Sequence, residues 1–299
     1  MKSSVTKVGA ILSTLLLAAL LSQIAFAYLP DVDNPAGSFL VSSDIGTALY
    51  RIDYSDGYPD FVQLAHLDQG GAVELLHGAI IDPGTGQGVY GGDNPGFSNQ
   101  WLQEVWYDFS SRHPNTFCIT NGQFFSAHTS MARLPFPLKV DGKVVSDGYG
   151  LNDFPNQKVL LEIWPDRADI VPLSATALYT SSAPNIMAGL SKEASGSRPN
   201  MVTGRTFIGV GDRGQHGHYE TILIFTSEMA RKTEAASVLR SFGAEKVMML
   251  DGGSSTQLTC RGEIYVSSGR RIPQSIAVMA ALPAAAPPPS SHRPHAIAH

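Results

Sequence analysis

The chain has no excess of basic residues. Lys and Arg number 21 against 26 Asp and Glu, a formal charge of −5 over 299 residues. That argues against a nucleic-acid binder, which needs a basic face. Charges of either sign are sparse, at 16% of residues beside 43% hydrophobic ones. Such a balance belongs to a globular chain and excludes a wholly disordered one. Only two cysteines occur, Cys118 and Cys260. Neither has a basic partner in sequence, which speaks against thiol nucleophile chemistry. The glycines from Gly84 to Gly92 lack the strand-to-helix setting of a dinucleotide fingerprint. No Gly-x-Ser-x-Gly elbow surrounds Ser254 or Ser255.

The N-terminal apolar run, Val8 to Leu21, is short for a membrane span. Lys2 and Lys7 flank it, and Ala25-Phe26-Ala27 follows with the small-x-small pattern of a signal-peptide cleavage site. Residues 1–27 therefore read as a signal peptide, with an uncleaved anchor as the alternative. No Cys follows the site, so no lipoprotein anchor is indicated. The expected localisation is secreted or periplasmic, with no membrane span in the mature chain. In an exported chain an even cysteine count suits a disulfide between Cys118 and Cys260, while two buried free thiols would look the same in sequence. From Pro283 the composition turns to Ala, Pro, Ser and His, the pattern of a disordered tail over 283–299.

With 29 Gly and 19 Pro, residues 28–282 are expected to form one turn-rich α+β domain. Its core would be a mixed, strand-rich sheet with few helices. Strands are expected at Ser38–Val41 and Ala48–Ile52, near Val89, and at Thr116–Thr120. Leu138–Val140 and Val144–Ser146 flank Asp141-Gly142, a hairpin signal. Further strands fall at Lys158–Ile163, Ala168–Val171, Arg205–Val210, Thr221–Phe225, Gly262–Val266 and Ser275–Met279. Residues 181–201 read as a long loop. Trp101, Trp106, Tyr107 and Phe109 form an aromatic cluster, for core packing or for stacking on a sugar. One long helix is expected, starting at Thr226-Ser227 with Glu228 in its first turn. Met229, Ala236, Leu239 and Phe242 would share its apolar face, and Gly243 would stop it.

The densest chemistry follows that helix. Val247–Leu250 is an uninterrupted apolar run that suits a buried strand, and it ends at Asp251. Gly252 and Gly253 permit close approach of a ligand, and Ser254, Ser255 and Thr256 add three hydroxyls. A plain tight turn is the competing reading. Thr116–Thr120 repeats the arrangement by running into Asn121-Gly122, where a simple hairpin turn is the alternative. Arg205 opens a buried-looking strand and needs an anion or an internal carboxylate. Arg270 and Arg271 suit an anion or solvent. His128 is more naturally structural, and His216 and His218 lack a clear third zinc ligand.

These motifs form an ordered set. Asn121-Gly-Gln-Phe-Phe125, Arg205-Thr-Phe-Ile-Gly209, Glu228-Met-Ala230, Phe242-Gly-Ala244, Leu250-Asp-Gly-Gly-Ser-Ser255 and the Arg271 to Val278 end together resemble the phosphodiester glycosidase family over about residues 115–282. Gln123, Met249 and Ser254 depart from the family's usual Gly, Asn and Gly. The resemblance implies strands converging on one pocket and hydrolysis of a sugar-1-phosphodiester, such as a GlcNAc-1-phosphodiester, to a sugar and a phosphomonoester. Asp251 and Glu228 would be the catalytic carboxylates. Asn121, Gly122, Arg205, Gly252, Gly253, Ser254, Ser255, Thr256 and Arg271 would bind the substrate. No cofactor is called for, and no metal ligand set is assigned. A carbohydrate-binding protein without turnover, or a hydrolase with Ser254 or Ser255 as nucleophile, are the rival classes.

Overall fold

The structure, a computed structural model, describes residue 35 and residues 37–126, 131–150, 152–194 and 200–282. The expected signal peptide, the tail from Pro283 and His128 lie outside the described residues.

The chain opens with β1 (Ser38–Asp44), β2 (Thr47–Ile52) and β3 (Asp60–His66), followed by β4 (Ala72–His77), β5 (Ile80–Asp82) and β6 (Gly96–Ser98). Helix α1 (Leu102–Arg112) leads into β7 (Thr116–Asn121), β8 (Met131–Arg133), β9 (Leu138–Val140) and β10 (Lys143–Ser146). Next come β11 (Lys158–Ile163), β12 (Ala168–Pro172), α2 (Ala175–Thr180), β13 (Asn185–Ser191), β14 (Thr203–Gly211) and β15 (Thr221–Ala230). Helix α3 (Lys232–Ser241) precedes β16 (Lys246–Met249), β17 (Leu258–Cys260), β18 (Glu263–Val266) and β19 (Gln274–Met279).

The large sheet has the order β1-β2-β3-β15-β14-β16-β13-β11-β12, with the β9–β10 hairpin attached to β13. A second sheet runs β18-β17-β7-β19-β4, and a small third one runs β5-β6-β8. Every strand pair among the described residues is antiparallel, which corrects the expectation of a mixed sheet. Hairpin or short-loop neighbours such as β1–β2–β3, β9–β10, β11–β12, β14–β15 and β17–β18 alternate with many neighbours that are distant in sequence. One crossover matters for the site. β15 and β16 flank β14 on opposite sides, and α3 carries the chain between them.

Alternation along the strands sorts side chains into layers. Between the two larger sheets lies a core that includes Phe61, Leu75, Phe117, Ile208, Met248, Leu250 and Ile276. On the outer face of the large sheet, Phe207, Phe225 and Met249 pack against Ala235, Ala236 and Leu239 of α3. On the outer face of the second sheet, Ile119 and Ala277 pack against Leu102, Trp106 and Phe109 of α1. Trp106 and Phe109 of the aromatic cluster are thus core residues, whereas Tyr107 is 70% exposed. The cysteines form a disulfide, Cys118–Cys260, facing each other across β7 and β17.

Several local expectations change. Pairing of β15 with β14 continues to Ala230, so the backbone at Thr226 and Ser227 is committed to the sheet and Glu228 lies on a strand. Helix α3 starts at Lys232, where the Glu234 carboxylate accepts from the Arg231 N–H at 2.7 Å. Such a reach-back satisfies a donor that the first helical turn leaves unpaired. Met229 therefore sits on the strand, 40% exposed, and not on the helix face. At the other end, Gly243 does stop the helix, with φ of 96°. The aromatic segment after Trp101 is a second long helix, α1, started by the same device: Trp101 N–H donates to Glu104 Oε2 at 3.2 Å. Within 181–201, β13 is a central strand and not loop. Val89 lies in a turn. Residues 38–77 supply β1 to β4, and with them part of both larger sheets.

Candidate active site

The two larger sheets meet where β7 and β16 end. β7 delivers Asn121, a residue 1% exposed, against the segment that follows β16. Asn121 Nδ2 donates to the Asp251 carbonyl at 2.8 Å, and Asp251 N–H donates to the Gly122 carbonyl at 3.2 Å. The other side of the amide is also used. Asn121 Oδ1 accepts from Thr206 Oγ1 at 2.8 Å and from Gln257 N–H at 3.1 Å. One buried side chain therefore ties β7, β14, and both sides of the Asp251 loop together. Leu250 N–H adds a bond to the Thr206 carbonyl at 3.0 Å.

Asp251 keeps partial solvent access although the strand before it is buried. Burial pushes its carboxyl up to about 6, opposed in part by the Ser255 hydroxyl, the Gly252 N–H and the positive charge of Arg270. The direction is that of a carboxylate desolvated faster than it is paired. At neutral pH such a group is still mainly ionised.

The loop beyond Asp251 depends on the absence of side chains. Gly253 has φ of 61°, a conformation that glycine adopts without strain. On the strand beside it, a Cβ at Gly204 would run into the Gly253 carbonyl and stand 2.7 Å from Thr256 Oγ1. A Cβ at Gly122 would collide with Gln274 Oε1, which instead accepts from Gln123 N–H at 2.8 Å. Within the loop Ser254 is exposed, while Ser255 and Thr256 are buried. Thr256 Oγ1 and Gln257 Oε1 have no protein hydrogen-bond partner among the described residues.

The candidate cations separate. Arg205 is buried, with Nη2 donating to the Met201 carbonyl at 2.9 Å and Nε to the Ala230 carbonyl at 3.3 Å. Its neighbour Thr206 is the residue that bonds Asn121. Strand alternation therefore directs the Arg205 side chain to the opposite face, beside α3. Arg271 is exposed and lies over the Trp101 ring, 4.9 Å from its centroid. Arg270 is the guanidinium whose charge bears on Asp251, and its Nη1 donates to Ser254 Oγ at 2.9 Å. The family resemblance points to Arg271 for the substrate and leaves Arg270 out, and the one hint in the sequence is adjacency, since neighbours on an extended segment point apart. Glu228 is exposed near the end of β15, two residues beyond Thr226, whose hydroxyl lies 3.4 Å from that of Thr120. His216 and His218 sit on the exposed connection between β14 and β15.

No helix among the described residues is long and apolar enough to cross a membrane. A family described as "Phosphodiester glycosidase" matches residues 94–279, more than half of the chain. A search of curated proteins found no match. Among solved structures, the chain resembles the zebrafish N-acetylglucosamine-1-phosphodiester alpha-N-acetylglucosaminidase catalytic domain auto-inhibited by its pro-peptide. That match has a TM-score of 0.53 and 13% identity, over 81% of this chain and 87% of the other. A hypothetical protein from Synechocystis matches with a TM-score of 0.51 and 14% identity, over 83% of this chain and 64% of the other. At these identities the likeness concerns the fold.

Proposed function

The chain belongs to the phosphodiester glycosidase family, and from that premise we propose that it is an exported hydrolase of sugar-1-phosphodiesters. It cleaves the glycosidic side of a GlcNAc-1-phosphodiester-like substrate and releases sugar and a phosphomonoester. The observation that carries this reading is Asp251: a carboxylate held at the end of a buried strand, open to solvent, with its backbone fixed on both sides by Asn121 and Gly122. A glycosidic transition state has oxocarbenium character, and a fixed carboxylate beside C1 stabilises that charge or activates water. Phosphate is a weakly basic leaving group, so a strong general acid is not needed. Glu228 takes the part of the second carboxylate.

Asn121 acts as a positioning residue, since its amide is spent on Asp251, Thr206 and Gln257. Gly252, Gly253, Ser254, Ser255 and Thr256 line the substrate, and their polar atoms suit a polyhydroxylated ligand. Gly122 lends its carbonyl to the loop, Arg205 braces the start of β14, and Arg271 with Trp101 forms a rim on which a sugar ring can lie. Export follows from removal of the signal peptide near Ala27.

The test is to incubate the purified mature chain with an α-GlcNAc-1-phosphodiester and a panel of related sugar phosphodiesters, reading products by mass spectrometry. Free sugar plus phosphomonoester is the expected result. Release of sugar phosphate, or no product from any panel member with a folded protein, refutes it.

A further inference from the structure

We propose that Arg270, together with the Ser254 hydroxyl, is the phosphate clamp of this site, in place of the Arg205 that the sequence singles out. The proposal deepens the reading of Asp251 as the glycosidic carboxylate and rests on it for the identity of the reacting bond.

Arg205 has its guanidinium on the α3 side of β14, bonded to the Met201 and Ala230 carbonyls. Arg270 is built differently. Its backbone N–H donates to Ser268 Oγ at 3.0 Å, and its carbonyl accepts from Gln257 Nε2 at 3.0 Å. Its guanidinium lies over the Phe125 ring, 4.9 Å from the centroid, a contact that holds a planar cation in place. Ser268 also bonds the Ser254 carbonyl. Gln257, which holds the Arg270 backbone, is in turn bonded to Asn121 through its own N–H. The cation is therefore fixed to the same framework that fixes Asp251.

What this framework leaves open is specific. A guanidinium has five N–H donors. Among the described residues, that of Arg270 makes one side-chain hydrogen bond, to Ser254, and joins no carboxylate in an ion pair. Ser254 Oγ accepts that bond, so its own proton is available to a ligand. The charge of Arg270 reaches Asp251 without an ion pair forming. A carboxylate and a fork of donors held by one framework suit a ligand with an electrophilic carbon at one end and an anionic group with several oxygens at the other. Phosphate meets that requirement and takes the fork in bidentate fashion.

The reaction makes the clamp more valuable as it proceeds. The C1–O bond breaks and its electron pair stays on the phosphate oxygen. Water supplies the new oxygen on C1 and its proton leaves through Asp251 to solvent. The diester monoanion thereby becomes a monoester dianion. Charge grows where Arg270 and Ser254 point, so their interaction strengthens in the transition state.

The test uses the mature chain and its Arg270→Gln and Arg270→Lys variants, titrated calorimetrically with inorganic phosphate. The wild type binds phosphate, Arg270→Gln binds it at least about tenfold more weakly, and Arg270→Lys falls between them because it keeps charge and loses the fork. The paired kinetic arm compares a phosphodiester with a neutral aryl glycoside of the same sugar. Arg270→Gln lowers the ratio of their kcat/KM values by about 10²-fold, the size of effect seen when a preorganised donor is removed. Undiminished phosphate binding by Arg270→Gln, no saturable binding by the wild type, or an equal loss on both substrates overturns the proposal. Failure of the wild type to turn over either substrate would sink the hydrolase reading, and the phosphate titration would still decide on Arg270.

Discussion

Replacing Asn121 with Ala should destabilise the fold more than its single side chain suggests. The amide makes three short hydrogen bonds at 2.8, 2.8 and 3.1 Å, to the Asp251 carbonyl, the Thr206 hydroxyl and the Gln257 N–H, beside a long one accepted from the Thr120 hydroxyl at 3.5 Å. All three partners would lose a bond, and each buried polar group left unpaired costs roughly 1–3 kcal/mol. Thr206 can rotate its hydroxyl, and Asp251 is only partly buried, so the low end applies to both. The net expectation is about 3 kcal/mol. For a chain of this size that corresponds to a fall in Tm of about 6–12 °C. Asn121→Asp separates the contributions. It keeps the acceptor for Thr206 and Gln257 but turns the donor into an oxygen facing the Asp251 carbonyl. The introduced carboxylate is buried, so its folded pKa is raised. Its penalty is present above that pKa and fades as pH falls and it regains a proton to donate. Urea unfolding at several pH values reads both variants through the midpoint at constant m. An Ala variant within about 0.5 kcal/mol of wild type, the range of ordinary surface changes, would refute the claim that Asn121 clasps the sheets.

Three further outcomes follow from the same geometry. With Asp251 as the proposed catalytic carboxylate and its carboxyl pushed up to about 6 by burial, the pH profile of kcat/KM should fall on the acid side of about 6. A flat profile down to pH 4.5 would count against its role. Its raised pKa also means that folding is opposed by this group above pH 6 and that the opposition is lost as pH falls through 6. Asp60, likewise pushed up to about 6 by burial, acts in the same direction, so stability should decline between pH 4 and pH 6.5. The Cys118–Cys260 bridge spans 142 residues of sequence. Chain entropy then predicts that replacing both cysteines with Ala costs about 5 kcal/mol, and a loss below about 1 kcal/mol would show that the bridge constrains little. Gly204→Ala puts a methyl group against the Gly253 carbonyl and Thr256 Oγ1. It should lower kcat/KM at least about tenfold by moving the Asp251 loop, and wild-type activity in that variant would mean that the loop tolerates displacement.

Much of the site was legible because its chemistry is local. Val247–Leu250 followed by Asp251 and two glycines is contiguous, and a buried strand ending in a carboxylate can be read from order alone. The pairing of that loop with Asn121 is a contact between two sheets, and nothing in local sequence states it. The helix start is hidden from the sequence because Thr226, Ser227 and Glu228 have the composition of a helix cap. Their backbone bonds are already taken by β14, and the sheet pairing outweighs the local preference. The true start depends on Glu234, three residues beyond Arg231, a weaker pattern without a Ser or Thr at the cap. Residues 181–201 looked like loop because Gly and Pro punctuate them, yet β13 within them is a central strand with neighbours on both sides. The roles of the arginines were beyond sequence for a plainer reason. Arg205 has the better motif, but parity along β14 turns its side chain away from Thr206 and Asn121. Arg270 has no motif, and only the folded loop brings it to Ser254.

The most direct test of the central claim is one comparison. Wild type and Asp251→Asn, matched for fold by circular dichroism and unfolding midpoint, are incubated with the best sugar-1-phosphodiester of the panel, and free sugar is quantified over time. A loss of at least about 10³-fold in turnover, with Asp251→Asn as stable as wild type or more so at pH 7.5, is the predicted result. Turnover within about threefold of wild type in the folded variant would contradict the account, because Asp251 is the carboxylate on which the proposed reaction depends.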